Sequence, residues 1–388
     1  MRWVVDKAVA TPNCYVFWEE DHPSLVKGQL QFFQPRLVPK GFYSTWSLNK
    51  TVPHFKDSLY DLLTFDARIN EPGVDIWGEF EKRFQRLHDF VYYQPVFKAF
   101  MEAAFRTLAD DGIQHVEMRS FLGNSLYDLR HPPNYYNGDT LVRYYQEATA
   151  AVQQDVPDFT AKLIYTNLRI QSQKVIDRDV EKAFQMRKRY PEWVKAYDLV
   201  AEEDRGNTTL YYLNTWLKMD SLEEVYGVDL PLCLHDGESD WASVQNLYDA
   251  VLLGSDRIGH GFNLFLFPTL QEAIKAHDIC VEVSPLSNQI LGYVEDLRVH
   301  PARGWLRDGI QCTISSDDPG VFGYPGVTYD YWSIFLAWEL DLQSLKKLII
   351  NSIQYSYLSA EEKVVAMEHW QQRWDAFVEY CLAADIKL

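Results

Sequence analysis

Three short motifs place titratable side chains directly after apolar runs. His235-Asp236-Gly237-Glu238 follows Leu230 to Leu234 and puts an imidazole and a carboxylic acid on one turn. Its glycine lets the backbone approach a ligand closely. Taken alone this tetrapeptide is a weak signal, because surface loops often carry both His and Glu. Arg257-Ile258-Gly259-His260-Gly261 sets a histidine between two glycines, where it has little to pack against. A neutral imidazole there can serve as a general base near neutral pH, and the bland alternative is a structural histidine in a turn. Ser315-Ser316-Asp317-Asp318-Pro319 ends a further apolar run on two adjacent carboxylates. Their mutual repulsion is costly unless solvent, a donor or a cation intervenes, so a metal ligand beside a substrate acceptor is one reading and a solvated loop the other.

The elements that carry these motifs follow a repeating pattern. From Gln85 onward, short β-branched runs alternate with longer segments of helical period, as in successive βα units. Strands are predicted at Gln114 to Arg119, Thr160 to Thr166, Val194 to Val200, Leu230 to Leu234, Arg257 to His260, Ile279 to Val283 and Gln311 to Ser315. Helices are predicted at Leu141 to Gln154, Val180 to Arg189, Trp241 to Leu253, Pro268 to Ala276, Leu342 to Tyr357 and Ala360 to Cys381. Periodicity does not separate an open doubly wound sheet from a closed barrel. Polar residues do, because nearly every predicted strand ends in them: Glu117 and Arg119, Asn167 and Arg169, Asp198, His235, His260, Ser284, Asp317. Groups gathered at the C-terminal ends of many strands are what a barrel mouth provides. The expected fold is therefore an α/β, TIM-type (β/α)8 barrel lacking its first strand, since seven strands are found where eight close a barrel. Residues 1–84 are expected to form an irregular N-terminal segment packing on the barrel, and 85–388 the barrel domain.

Composition narrows the partners. A formal net charge of −18 opposes binding to nucleic-acid phosphates or an anionic membrane and favours a neutral or cationic small molecule. No stretch reaches the roughly 18 apolar residues of a membrane span. The start Met1-Arg2-Trp3-Val4 lacks a signal-peptide run, which leaves a cytoplasmic location open. The five cysteines include no Cys-x-x-Cys, and Cys233, Cys280 and Cys312 are expected to be buried free thiols.

In this order and on three different strand ends, the motifs resemble the adenosine deaminase superfamily. Met118-Arg119, Tyr197-Asp198-Leu199-Val200, Val281-Glu282-Val283-Ser284-Pro285-Leu286-Ser287-Asn288-Gln289 and Asp317-Asp318-Pro319-Gly320-Val321-Phe322-Gly323 are similar to its secreted, growth-factor-like branch. The resemblance implies hydrolytic deamination of adenosine or a related purine nucleoside to inosine and ammonia by a zinc-activated water. It implies His235 and Asp317 as ligands of one Zn2+, and Glu238 as the group that protonates a purine ring nitrogen. His260 would take a proton from the water and orient it, Asp318 would hold another ring nitrogen, and Trp77 would pack against the nucleoside. It also implies an extracellular protein, and a homodimer is allowed.

Three departures stand out. The family's other two zinc ligands form a His-x-His pair on the first strand, and no His-x-His occurs in this sequence. The chain is expected to begin just after that strand, with Trp3-Val4-Val5 matching the segment that follows it, so the metal site is expected to be incomplete and metal binding weak. Ala201 replaces a glycine whose backbone N–H approaches the purine, and Leu168 replaces a histidine near the sugar. The alternative expectation is a catalytically inactive nucleoside-binding or growth-factor-like protein.

Overall fold

The computed structural model describes residues 1–65, 73–130 and 132–384. Its centre is a run of seven parallel strands. With β1 (Cys14–Phe17), β2 (Leu30–Phe32) and β3 (Phe42–Ser44) forming a separate sheet, the barrel strands begin at β4 (His115–Ser120). A small hairpin, β5 (Leu126–Tyr127) and β6 (Tyr135–Tyr136), precedes β7 (Thr160–Leu168) and β8 (Val194–Val200). There follow β9 (Cys233–Asp236), β10 (Arg257–His260), β11 (Cys280–Val283) and β12 (Cys312–Ile314). Each predicted strand is present, within a few residues of its expected bounds.

The strands lie side by side in chain order. β4 pairs with β7 and β7 with β8, β9 with β10, β10 with β11 and β11 with β12, all in parallel. A single bridge, Tyr197 to Leu232, joins the two halves. Helices follow most strands, as right-handed βαβ connections require. Thus Gln173–Arg189 follows β7 and buries Ile176, Val180, Ala183 and Phe184 at its helical spacing. Pro268–Ala276 starts on a proline at its first turn, where the missing N–H costs nothing. The last helix, Ala360–Ala383, opens on a capping box made by Ser359 and Glu362.

Among the described residues no strand lies between β12 and β4, so the barrel is open on that side. The burial pattern records the gap. Six of the seven residues of β8 are buried, whereas five of the six residues of β4 are only partly so. An edge strand with no neighbour keeps both a row of unpaired backbone groups and one flank in contact with the open side.

The stretch 1–84 is not irregular, and that expectation is corrected here. It contains the helices Arg2–Ala10, Thr45–Thr51 and Phe55–Leu63 and the antiparallel sheet of order β2-β1-β3. Strands of three or four residues interrupted by Pro23, Pro35 and Pro39 leave too few alternations to register as a period. This sheet buries Cys14, Val16, Leu30 and Phe32 against Phe90 and Val96, so it shares a core with the helices that lead into β4. Trp241–Leu253 is also shorter than predicted, its helix covering only Asn246–Leu252. No helix among the described residues is long and apolar enough to cross a membrane. All five cysteines are buried and unpaired.

Candidate active site

His235 stands near the C-terminal end of β9. Its ring Nδ1 lies 2.8 Å from Asp198 Oδ2 and its backbone N–H donates to Asp198 Oδ1 at 2.9 Å. Asp198, fully buried on β8, also accepts from Arg119 Nε at 2.5 Å. Burial opposes its ionisation, but His235 and Arg119 outweigh that and hold its carboxyl below the usual range. An anionic Asp198 keeps the proton of His235 on Nδ1, which leaves Nε2 as a lone pair for a ligand. Behind this pair, Arg119 also donates to Glu282 at 2.6 Å, and Arg257 bridges Glu282 and Glu117, so each of these four charges has an opposite partner.

The register of β9 and β10 sets Gly259 beside His235. A Cβ at Gly259 would sit 3.1 Å from His235 Nδ1, so a larger residue here would press on the imidazole. His260 then turns into the site with φ 59°, a left-handed conformation that costs a non-glycine residue about 1–2 kcal/mol. Its Nε2 is 3.5 Å from Glu238 Oε1 and 3.9 Å from Asp317 Oδ2. Burial lowers the pKa of His260 to about 4, against the pull of Asp317.

Glu238 is reached through Gly237, whose φ of 84° completes the turn out of β9. Its backbone N–H donates to Glu203 Oε1 at 2.7 Å, which anchors the loop from below. Burial, then the carboxylates of Asp317 and Glu203, push the Glu238 pKa well up, which favours its protonated form. At the end of β12, Asp317 also adopts a left-handed φ of 55°. Asp318 has its pKa raised by burial and by Asp317.

One cavity of about 2040 Å³ collects Trp77, Leu168, Ala201, His235, Glu238, His260, Asp317 and Asp318. It is larger than a nucleoside needs because its lining also takes in residues far along the chain from these strand ends, Leu108 and Trp374 among them. Trp77 lies on the helix Ile76–Val91, and its Nε1–H donates at 2.8 Å to the Tyr293 hydroxyl, which donates to the Glu238 carbonyl at 2.9 Å. Trp77 thus touches the site through Tyr293 as well as by lining it. Ala201 holds φ 86°.

His235, His260 and Asp317 offer ligand atoms within 4.8 Å of one another, a donor set of the kind that holds a divalent ion. The expected metal pair, His235 and Asp317, is part of it, and His260 is a third member by distance. Sequence reasoning passed over Glu203, Tyr293 and His300. Glu203 sits in the acidic run Glu202-Glu203-Asp204 after β8, which is a weak signal, and neither Tyr293 nor His300 carries one.

The sequence profile of a family described as adenosine deaminase matches residues 61–371. Adenosine deaminase 2 from Dictyostelium discoideum is 33% identical over 381 residues, spanning 96% of this chain and 69% of the relative. Among solved structures, adenine deaminase from Arthrobacter aurescens superposes with a TM-score of 0.61 at 19% identity, covering 85% of this chain and 94% of its own. An amidohydrolase from Burkholderia ambifaria, solved with bound Zn, gives a TM-score of 0.58 at 16% identity, covering 84% and 89%.

Proposed function

The chain belongs to the adenosine deaminase family, in its growth-factor-like branch, and from that premise we propose that its cavity is built for hydrolytic deamination of adenosine or a related purine nucleoside. The observation that carries this is the convergence of Glu238, whose burial favours its protonated form, with His260, Asp317 and Asp318 on one pocket. A neutral carboxyl can donate to the purine ring nitrogen next to the amine-bearing carbon, which draws electron density from that carbon. Asp318, its pKa also raised, donates to a second ring nitrogen and fixes the base in the pocket. His260 orients the attacking water. Water adds to the carbon and the bond to the amine breaks: one proton of the water leaves on ammonia, the other returns to Glu238, and the proton Glu238 donated stays on the ring nitrogen of the product. Trp77 and the backbone of Ala201 bound the nucleoside.

His235 and Asp317 would hold one divalent ion, zinc by resemblance to the family. When bound, such an ion lowers the pKa of a water from about 15.7 towards about 7. The chain supplies these two donors without a His-x-His pair, so we propose that it holds the metal weakly and turns over slowly by itself. The same missing pair favours a second reading, a nucleoside-binding or growth-factor-like protein without catalysis. On either reading the family branch points to work outside the cell.

Inosine formation from adenosine, measured alongside calorimetric binding of the nucleoside with and without added zinc, tests the proposal. Binding weakened by Asp318→Ala, with slow inosine release that depends on zinc and is lost in Glu238→Gln, is the expected result. Binding without inosine at saturating zinc would select the second reading. No nucleoside binding would overturn both.

A further inference from the structure

Behind the site, three buried side chains form a hydrogen-bond relay that the reading above does not use. His300 follows the turn Leu297–Val299, Asn288 lies in the helix Pro285–Ile290, and His260 ends β10. Their exposures are 2%, 0% and 3%, so water does not compete for their polar atoms. Phe262 and Trp338 enclose the His300 ring, with centroids 5.4 and 5.6 Å away.

One atom in the relay leaves no choice of role. The backbone N–H of Ala302 can only donate, and it points at His300 Nδ1 at 3.1 Å. His300 Nδ1 is therefore bare and the ring proton sits on Nε2. Nε2 lies 3.1 Å from Asn288 Oδ1, so it donates there and fixes which way the amide faces. The Asn288 NH2 then faces His260 Nδ1 at 3.3 Å. An amide NH2 has no lone pair to offer, so His260 Nδ1 accepts and its proton sits on Nε2, the nitrogen facing Glu238 and Asp317.

We propose that His300 and Asn288 are positioning residues that lock His260 as the Nε2–H tautomer, so that it meets the attacking oxygen as a hydrogen-bond donor. The catalytic consequence rests on the deaminase reading, but the tautomer does not.

The full chain labelled with 15N in its histidine rings reports this directly, because long-range 1H–15N spectra separate protonated from bare ring nitrogens. His260→Gln identifies the resonances of residue 260. The expected pattern is bare Nδ1 and protonated Nε2 for both His260 and His300. In Asn288→Asp a carboxylate replaces the NH2 donor and the pattern at His260 inverts. In His300→Ala the amide is free to rotate and His260 shows both tautomers, while His300→Gln, which keeps an N–H towards Asn288, restores one. Where turnover is measurable, Asn288→Asp lowers kcat by up to about 10^4-fold, the scale of a wrong histidine tautomer, with little change in KM. A proton on His260 Nδ1 in the unmodified chain overturns the proposal even if neither the Asn288 nor the His300 variants fold, and so does an Asn288→Asp spectrum unchanged at His260. Absence of inosine together with the expected spectra would count against the deaminase reading and leave the relay standing.

Discussion

Ala201 occupies a φ of 86° just past the end of β8, on the wall of the cavity. An L-residue there brings its Cβ against the backbone at a cost of about 1–2 kcal/mol, which glycine does not bear. Against this, glycine loses more conformational freedom on folding, by about 0.4–1 kcal/mol relative to alanine. Strain outweighs entropy, so Ala201→Gly should stabilise the fold by about 0.5–1 kcal/mol. In a chain of 388 residues that is a rise in melting temperature of roughly 0.6–1.2 °C, because the unfolding entropy grows with size. The substitution also removes the methyl group from the cavity wall, so purine nucleoside binding should tighten in the same variant. Thermal unfolding followed by circular dichroism and calorimetric titration with adenosine read the two effects separately. Ala201→Val is the counter-test, since a β-branched residue at positive φ should lower stability by more than 1 kcal/mol. A fall in stability for Ala201→Gly, the usual sign at a position with negative φ, would refute the argument.

Glu282→Gln should destabilise the chain by about 3–5 kcal/mol at neutral pH, because it leaves Arg119 and Arg257 buried without their shared anion. Although burial opposes its ionisation, these two arginines hold the Glu282 pKa below the usual range, so its contribution is present above about pH 4.3 and fades as pH falls through the folded value. Urea titrations should therefore show the gap between the two proteins narrowing in acid. Glu238→Gln has the opposite sign: the carboxyl has a raised pKa, so wild-type stability is lost as pH rises from about 4.3 towards the folded value, and the amide avoids that loss. Its melting temperature should exceed wild type at pH 8 and match it near pH 4. Zinc added to the purified chain should be lost on dialysis against a mild chelator, since three donors are ordinarily needed and the third group within reach of His235 and Asp317, His260, turns an N–H towards them. Stoichiometric metal after dialysis would instead make His260 a ligand and contradict its Nε2–H tautomer.

The sequence by itself determined the seven barrel strands and the placing of His235, His260 and Asp317 at their ends. Each strand is a short β-branched run closed by polar residues, and that signal is local. It also determined that the pair His-x-His is missing, which no folding changes. What it did not carry is everything that depends on which chains of atoms meet across the fold. The small sheet of residues 14–44 escaped notice because strands of three residues have no period, and only packing on Phe90 and Val96 makes them strands. Ala201 was visible as a substitution, but its φ of 86° follows from how β8 turns towards the mouth. The raised pKa of Glu238 depends on burial and on Asp317, 79 residues away in the chain and brought near because β9, β10, β11 and β12 lie side by side. Nothing in the sequence around His300 marks it. Its role appears only when Asn288 comes to lie between it and His260, because a hydrogen-bond relay is defined by which atoms face each other, and the order of residues along the chain does not specify that.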